Sequence, residues 1–300
     1  MKRKTSWEKY FSQKIEYVNF ALRKFLPKDN STISKSMRYS VLAGGKRLRS
    51  VLLIFAAELF GGKFDDIIPA ACAVEYFHTY SLIHDDLPAM DNDDFRRGIP
   101  TNHKKFGEAV AILCGDALLT ESFNLITKVR SSEKNINLAI RILANCGGYK
   151  GMIFGQIEDV IESGKWNKKK RNTMMTKLKF IEIRKTAALI VGSLKIGAIL
   201  SDADKKSLKA LEVYGTNIGI AFQIVDDILD LYATNNRLLG KNGSDVKNEK
   251  LTAVSVYGEK KAEIKANEYI DKAKKALIIF GDKSTMLMHV ADYIMYRLHL

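Results

Sequence analysis

"ADKKSLKALEVYGTNIGIAFQIVDDILDLY", residues 203–232, decides the fold class. Leu208, Leu211, Tyr214, Ile218, Ala221, Phe222, Val225, Ile228 and Leu229 recur at three- and four-residue spacing, the period of one helix face. The run spans about eight helical turns and holds no proline to interrupt it. Towards its end come Asp226, Asp227 and Asp230. Asp226 and Asp230 share a face, about 6 Å apart along the axis. Gln223 lies on one stripe with Asp227 and Asp230.

The same period extends outward along the chain. Only four of 300 residues are proline, Pro27, Pro69, Pro88 and Pro100, so residues 101–300 hold none. Such a stretch favours long helices over turn-rich sheet. The spacing predicts helices over 7–26, 33–43, 47–60, 68–87, 107–128, 135–149, 151–163, 170–200, 203–232, 259–279 and 285–297. Helix 68–87 is expected to open with Pro69 near its first position, where the missing N–H is harmless. It is expected to end near Leu87, because Pro88 disfavours helical geometry in the residue before it. Strand signals are negligible. No linker, low-complexity tract or repeat divides the sequence, so one domain over 1–300 is expected. The predicted architecture is all-α, a large antiparallel helical bundle with its site among facing helices.

Composition narrows the partners. The chain is 46% hydrophobic and 27% charged, with a net charge of +14. A basic excess can serve nucleic acid, an anionic membrane or an anionic substrate. Here the lysines are scattered through stretches such as KWNKKKR (165–171) and GEKKAEIKANEYIDKAKKA (258–276), a pattern of solvated faces. Nucleic acid is therefore not expected. The start, MKRKTSWEKYF, has no apolar run behind it and does not read as a secretory signal. No stretch approaches the roughly 18 uninterrupted apolar residues of a membrane span, so no stable anchor is expected. Cys72, Cys114 and Cys146 form no CxxC pair and read as buried thiols of a reduced, cytoplasmic protein.

Against this basic background stands a second acidic cluster, in "SLIHDDLPAMDNDDFRRG", residues 81–98, with Asp85, Asp86, Asp91, Asp93 and Asp94. Both clusters fall near the C-terminal ends of predicted helices, where the macrodipole already disfavours negative charge. Apolar flanks such as FHTYSLIH and IGIAFQIV raise the cost of ionisation further. Two such choices call for a cation. Oxygen ligands without a nearby Cys or His set point to a hard ion, Mg²⁺. A calcium loop starting at Asp91 is excluded, because its sixth position is Arg96 where the turn needs glycine.

Mg²⁺ held by few carboxylates keeps room for phosphate oxygens. Arg96 and Arg97 follow at once, and guanidinium groups grip phosphate bidentately. A further basic knot, GGKRLR, sets Gly44, Gly45, Lys46, Arg47 and Arg49 at the start of helix 47–60. Glycine permits close backbone approach, and a helix N-terminus offers free N–H groups to an anion. The spacing is not that of a P-loop. One anion site with metal and one without imply two phosphorylated substrates.

The chain resembles the trans-isoprenyl diphosphate synthases, in particular the bacterial-type short-chain branch that includes farnesyl diphosphate synthase. GGKRLR, VEYFHTYSLIHDDLPAMDNDDFRRG, PTNHKKFGEA, GDALL, GMIFGQIED, RKTAALI, GIAFQIVDDILD and LGKNGSD carry the likeness, from about Tyr39 to Tyr296. The resemblance implies an all-α bundle around a central active-site cavity, usually a homodimer. It implies head-to-tail condensation of isopentenyl diphosphate with an allylic diphosphate such as dimethylallyl or geranyl diphosphate. By the same resemblance Asp85 and Asp91 with Asp226 would hold about three Mg²⁺ ions, or Mn²⁺ in their place, against the allylic diphosphate. Asp86, Asp227 and Asp230 would support them. Arg96, Lys185 and Lys241 would contact that diphosphate, and Gly45, Lys46, Arg49, His78 and Arg97 would bind isopentenyl diphosphate. Lys185, Thr186 and Gln223 would present lone pairs or peptide carbonyls to the allylic cation. Gln156 and Asp159 of GQIED would order the site or touch the substrate. The released diphosphate would take the final proton.

Product length is a packing question. Tyr80 lies five residues before Asp85, about 7.5 Å deeper along the helix. Its ring makes a floor, with Ser81 beside it. In the family an aromatic here accompanies a C15 product, and a smaller or more flexible residue permits C20. Farnesyl diphosphate is the expected product and geranylgeranyl diphosphate the alternative. Asn92, where bacterial relatives carry aspartate, and PTNHK keep C20 open. NEKLTAVSVYG departs from the family's lysine motif, with Lys250 as its candidate lysine. Other classes fit less well. A terpene cyclase needs a hydroxyl at the fifth position of the second cluster, which holds Asp230. A non-catalytic subunit of a heteromeric synthase should have lost aspartates, and none is lost.

Overall fold

The computed structural model describes residues 5–165, 170–235 and 250–299. They form helices, with one two-stranded hairpin among them. The chain divides into two compact units, residues 1–141 with 196–203, and residues 142–195 with 204–300.

The first unit starts with α1 (Ser6–Phe25), opened by Thr5, whose backbone N–H donates to Glu8 Oε2 at 2.7 Å. Next come α2 (Thr32–Val41), α3 (Leu48–Glu58) and α4 (Phe64–Asp85). In α3 every residue from Val51 to Ala57 is buried, so this helix is core on all sides. Helix α4 begins four residues earlier than the sequence suggests, which puts Pro69 in its second turn rather than at its start. Asp65 and Asp66 in the first turn complement the helix dipole, and one backbone bond, to the Asp65 carbonyl, is forgone. Helix α4 ends at Asp85, with Asp86 as its cap residue, ahead of the expected Leu87.

Among the described residues strands, negligible in the sequence, form one hairpin. Phe95–Arg96 (β1) pairs antiparallel with Ile99–Pro100 (β2). Arg97 and Gly98 between them both have positive φ, 54° and 80°, as a two-residue type I′ hairpin loop requires. Short α5 (Asn102–Phe106) leads into α6 (Glu108–Ile126). Helix α6 is long and apolar enough by composition to cross a bilayer. Here it packs along α4, burying Ala111, Cys114, Leu118, Ser122 and Leu125. Helix α7 (Glu133–Gly147) ends in the second unit.

The second unit continues with α8 (Met152–Glu162) and α9 (Arg171–Ile181). The helix expected over 170–200 is not uniform. Residues Glu182–Ala187 form a π-helical turn between α9 and α10 (Ala188–Ile199). The longest element is α11 (Lys205–Asn235), whose start is capped by Asp204 Oδ1 accepting from the Ser207 N–H at 2.7 Å. Leu211, Tyr214, Ile218, Ala221, Val225 and Ile228 of its apolar stripe are buried. The Tyr214 hydroxyl donates to the Leu287 carbonyl at 2.7 Å, which satisfies a buried polar group. Helices α12 (Ala253–Tyr257), α13 (Glu259–Leu277) and α14 (Thr285–Tyr296) complete the unit.

Candidate active site

In the first unit the chain turns back over the end of α4. The Asp91 N–H donates to the Asp85 carbonyl at 2.8 Å, and the Met90 and Asn92 N–H groups donate to the Leu87 carbonyl. These bonds satisfy helix-end carbonyls and bring Asp91 beside Asp85, which leaves only the latter on a helix. Asp86 points inward and is 3% exposed. Arg96, delivered by β1, donates to it from Nε at 2.6 Å and approaches Asp93 at 3.4 Å. Burial pushes Asp86 up to about 6, against the pull of Arg96 and with help from Asp93 and Asp85.

The basic knot separates into two duties. Arg47 turns inward with left-handed backbone (φ 47°) and donates to Glu75 at 3.0 Å, Asn19 at 2.9 Å and the Val41 carbonyl at 2.7 Å. Glu75 is completed by Ser50 at 2.9 Å. Arg47 is therefore structural, although its spacing resembles that of its neighbours. Arg49 Nη1 lies 3.2 Å from His78 Nε2. Burial, then Arg49, Arg97, Arg96 and Arg47, hold the His78 imidazole well below its ordinary value, so the ring is neutral. Arg97 lies over Gly45, where a Cβ would fall 2.7 Å from its Cζ, and donates to the Gly44 carbonyl. Loss of water and the neighbouring Arg47 lower Arg97 to about 10. Gly45, Arg49, His78 and Arg97 are thus gathered in one place, with Lys46 exposed beside Gly45.

Tyr80 is 5% exposed. Its ring stands edge-on to Phe77 at 4.8 Å and to His84 at 5.8 Å, and Ser81 donates to the His78 carbonyl.

The second unit gathers its own predicted site residues from α8, α11 and the π-turn, with Lys250, the start of α12 and Arg297 beside them. Lys185 Nζ lies 2.6 Å from Asp159 Oδ2 on α8, and Lys250 Nζ lies 4.0 Å from the same oxygen. Thr186 Oγ1 donates to Gln223 Oε1 at 2.8 Å, and Gln223 Nε2 donates to Asp227 Oδ1 at 2.9 Å. Asp227 Oδ2 accepts from the Ala253 N–H at 2.7 Å. Asp226 accepts from Arg297, whose guanidinium also stacks over Phe222 at 4.7 Å. Asp230 is half-buried one turn beyond. Glu182, 3% exposed, has its pKa pushed well above the usual range by burial and by Asp227. Lys241 and the LGKNGSD stretch lie outside the described residues.

The donor set suits a hard cation. Among the described residues no three His, Cys, Asp or Glu side chains converge on one point. An ion on these carboxylates would therefore draw further oxygens from water and phosphate, the habit of Mg²⁺. Both side-chain amide atoms of Gln156 are buried with no protein partner among the described residues, which also calls for a ligand or water.

The polyprenyl synthetase family profile matches residues 30–278. The chain belongs to the polyprenyl synthetase family. It is 40% identical over 294 residues to a geranylgeranyl diphosphate synthase of Cyanophora paradoxa, covering 96% of this chain and 95% of that one. It is 42% identical over 271 residues to the farnesyl diphosphate synthase of Bacillus subtilis, covering 89% and 90%. Among solved structures, a geranyltransferase of Helicobacter pylori complexed with magnesium and isoprenyl diphosphate superposes with a TM-score of 0.83 at 29% identity, covering 100% and 99%. This polyprenyl synthetase is all-α and is a prenyltransferase, a trans-prenyl diphosphate synthase. Members of the family use Mg²⁺.

Sequence reasoning about this polyprenyl synthetase missed two contributors. Arg297 reaches Asp226 across 71 positions, and no motif announces it. The Ala253 N–H, which fixes Asp227, is invisible to any reading of side chains. Lys250 had only a broken motif behind it, yet stands at the carboxylate that also holds Lys185.

Proposed function

We propose that the enzyme condenses isopentenyl diphosphate head to tail with dimethylallyl and then geranyl diphosphate, and stops mainly at farnesyl diphosphate. In the first unit, Arg49, Arg97 and neutral His78 around Gly45, with Lys46 beside them, form the metal-free anion site for isopentenyl diphosphate. Neutral His78 adds no further positive charge to that crowded site and leaves the arginines to meet the anion. Asp85, Asp86 and Asp91 with Arg96, and in the second unit Asp226, Asp227 and Asp230 with Lys185 and Lys241, serve the allylic diphosphate. Mg²⁺, held by these aspartates, would neutralise charge on that leaving group. Lys185 and Thr186 sit in a π-turn, an irregularity common at functional sites. The Lys185 peptide carbonyl, the Thr186 hydroxyl and the Gln223 side-chain carbonyl offer oxygen lone pairs to the electron-poor allylic carbon. The reaction requires that water, which would otherwise capture that carbon, be kept out.

Tyr80 carries the C15 reading. It is buried, its ring is braced on two sides, and it lies five residues, about 1.4 turns, before Asp85 on α4. The relatives named geranylgeranyl diphosphate synthases, and Asn92, favour C20 as the second reading. The test is mass spectrometry of products from isopentenyl diphosphate, each allylic primer and Mg²⁺, with an EDTA control. A C15 product is expected, and Tyr80→Ala should shift it to C20 or longer. A wild-type C20 product, or an unchanged distribution in Tyr80→Ala, removes Tyr80 as the floor.

We further propose a cytoplasmic homodimer. In the first unit Ile112 and Leu113 on α6 are exposed, and in the second Ile153, Ile157, Val160 and Ile161 on α8 are exposed; each group is apolar surface available for pairing. The three cysteines, all thiols, suit a reducing compartment.

A further inference from the structure

Two glycines lie within helices that pack against the π-turn. Gly155 is on α8, and a Cβ there would fall 2.3 Å from the Lys185 backbone nitrogen and 2.8 Å from the Arg184 carbonyl carbon. Gly219 is on α11, and a Cβ there would fall 2.6 Å from Ala187 Cα and 2.5 Å from Ala187 Cβ. Neither has positive φ, so neither is needed for its own conformation. Glycine within a helix is locally unfavourable. What it permits here is backbone-to-backbone approach, on the π-turn at both places.

The spacing on the two helices matches. Four residues, one turn, after Gly155 comes Asp159, which holds Lys185 at 2.6 Å. Four residues after Gly219 comes Gln223, which accepts from Thr186 at 2.8 Å. Each flanking helix thus admits the turn's backbone at a glycine and engages one of its side chains one turn further on. The chain continues from Gln223 to Asp227 at 2.9 Å.

We propose that Gly155 and Gly219 are positioning residues: a paired clamp that sets the depth of the π-turn and so places Lys185 and Thr186 on Asp159 and Gln223. The inference rests on the prenyl-transfer reading of Lys185 and Thr186 given above. A methyl at either glycine meets main-chain atoms that no rotamer change can remove, so the turn itself must shift. Gly215 provides the contrast. It is also on α11, and a Cβ there would meet the Leu194 side chain at 2.7 Å and Val191 at 3.0 Å from Cγ2 and 3.1 Å from Cα, both residues on α10 and outside the π-turn.

The experiment compares Gly155→Ala, Gly219→Ala and Gly215→Ala in thermal stability, steady-state kinetics and hydrogen exchange. At the two clamp positions kcat should fall by about tenfold or more, the scale of a sub-ångström misplacement. KM for isopentenyl diphosphate, whose proposed contacts lie in the other unit, should stay within about threefold. Exchange should rise in a peptide covering 182–187. Gly215→Ala, even if it loses as much stability, should keep kcat within about twofold. The clamp is overturned if the folded clamp variants keep wild-type kcat and local exchange, or if all three lose kcat in proportion to stability. Gly219→Ala decides alone if Gly155→Ala does not fold. A wild-type protein that condenses neither substrate refutes the prenyl-transfer reading, and exchange over 182–187 still decides whether the glycines hold the turn.

Discussion

Asp86 and Asp227 are the buried members of their clusters, and they are held in different ways. Asp86 caps a helix and takes Arg96 from ten residues away, on a hairpin shaped by Arg97–Gly98. Asp227 sits inside a 31-residue helix and takes its partners from another turn of that helix and from a backbone N–H 26 positions on. One cluster is assembled by local chain geometry, the other by packing between distant elements. A local assembly tolerates damage elsewhere in its unit, whereas a packed one transmits it.

The largest effect is expected from Asp85→Asn and Asp226→Asn. Each should lower kcat about 10³-fold, about 4 kcal/mol of barrier. Only Asp226→Asn should also lower stability, by about 2 kcal/mol, because Arg297 is 6% exposed and loses its charged acceptor. Urea denaturation of both variants checks this. Equal stability in the two would break the comparison.

Next comes a contrast within the basic residues. Arg47→Met should cost about 3–5 kcal/mol of stability, since it strands Glu75 in the core. Arg97→Met should change stability by no more than about 0.5 kcal/mol. It should raise KM for isopentenyl diphosphate about tenfold, the equivalent of about 1.4 kcal/mol. The reverse pattern, a stable Arg47→Met with a raised KM, would reassign Arg47 to substrate.

The smallest effect concerns His78. Its pKa is held down in the folded protein, so as pH falls through 6.5 the unfolded chain binds a proton that the folded one refuses. Stability of the substrate-free protein should therefore decline on acidification in that window, with a slope of at most about 1.4 kcal/mol per pH unit from this group. His78→Gln should flatten that part of the curve. An unchanged slope would mean that His78 titrates alike in both states.

Much of this was legible in the residues themselves. The α11 stripe follows from spacing alone, because a helix face is a local periodicity. The hairpin was missed although Arg97–Gly98 is a recognisable turn pair, because its strands are two residues long and carry no alternation. The π-turn was missed because no residue of Glu182–Ala187 announces it, and the glycines packed against it, Gly155 and Gly219, lie 27 or more residues from the turn and meet it only after packing.

By itself the sequence determined helices nearly throughout, two aspartate clusters awaiting a hard cation and a basic knot awaiting an anion, since periodicity and charge are properties of short stretches. The tertiary structure alone decided which arginine of GGKRLR turns inward, that Arg297 reaches Asp226, and that Lys185 and Thr186 meet Asp159 and Gln223. Those outcomes depend on which distant surfaces exclude water together and which buried polar groups must then find partners, and neither is written in any one segment of the chain.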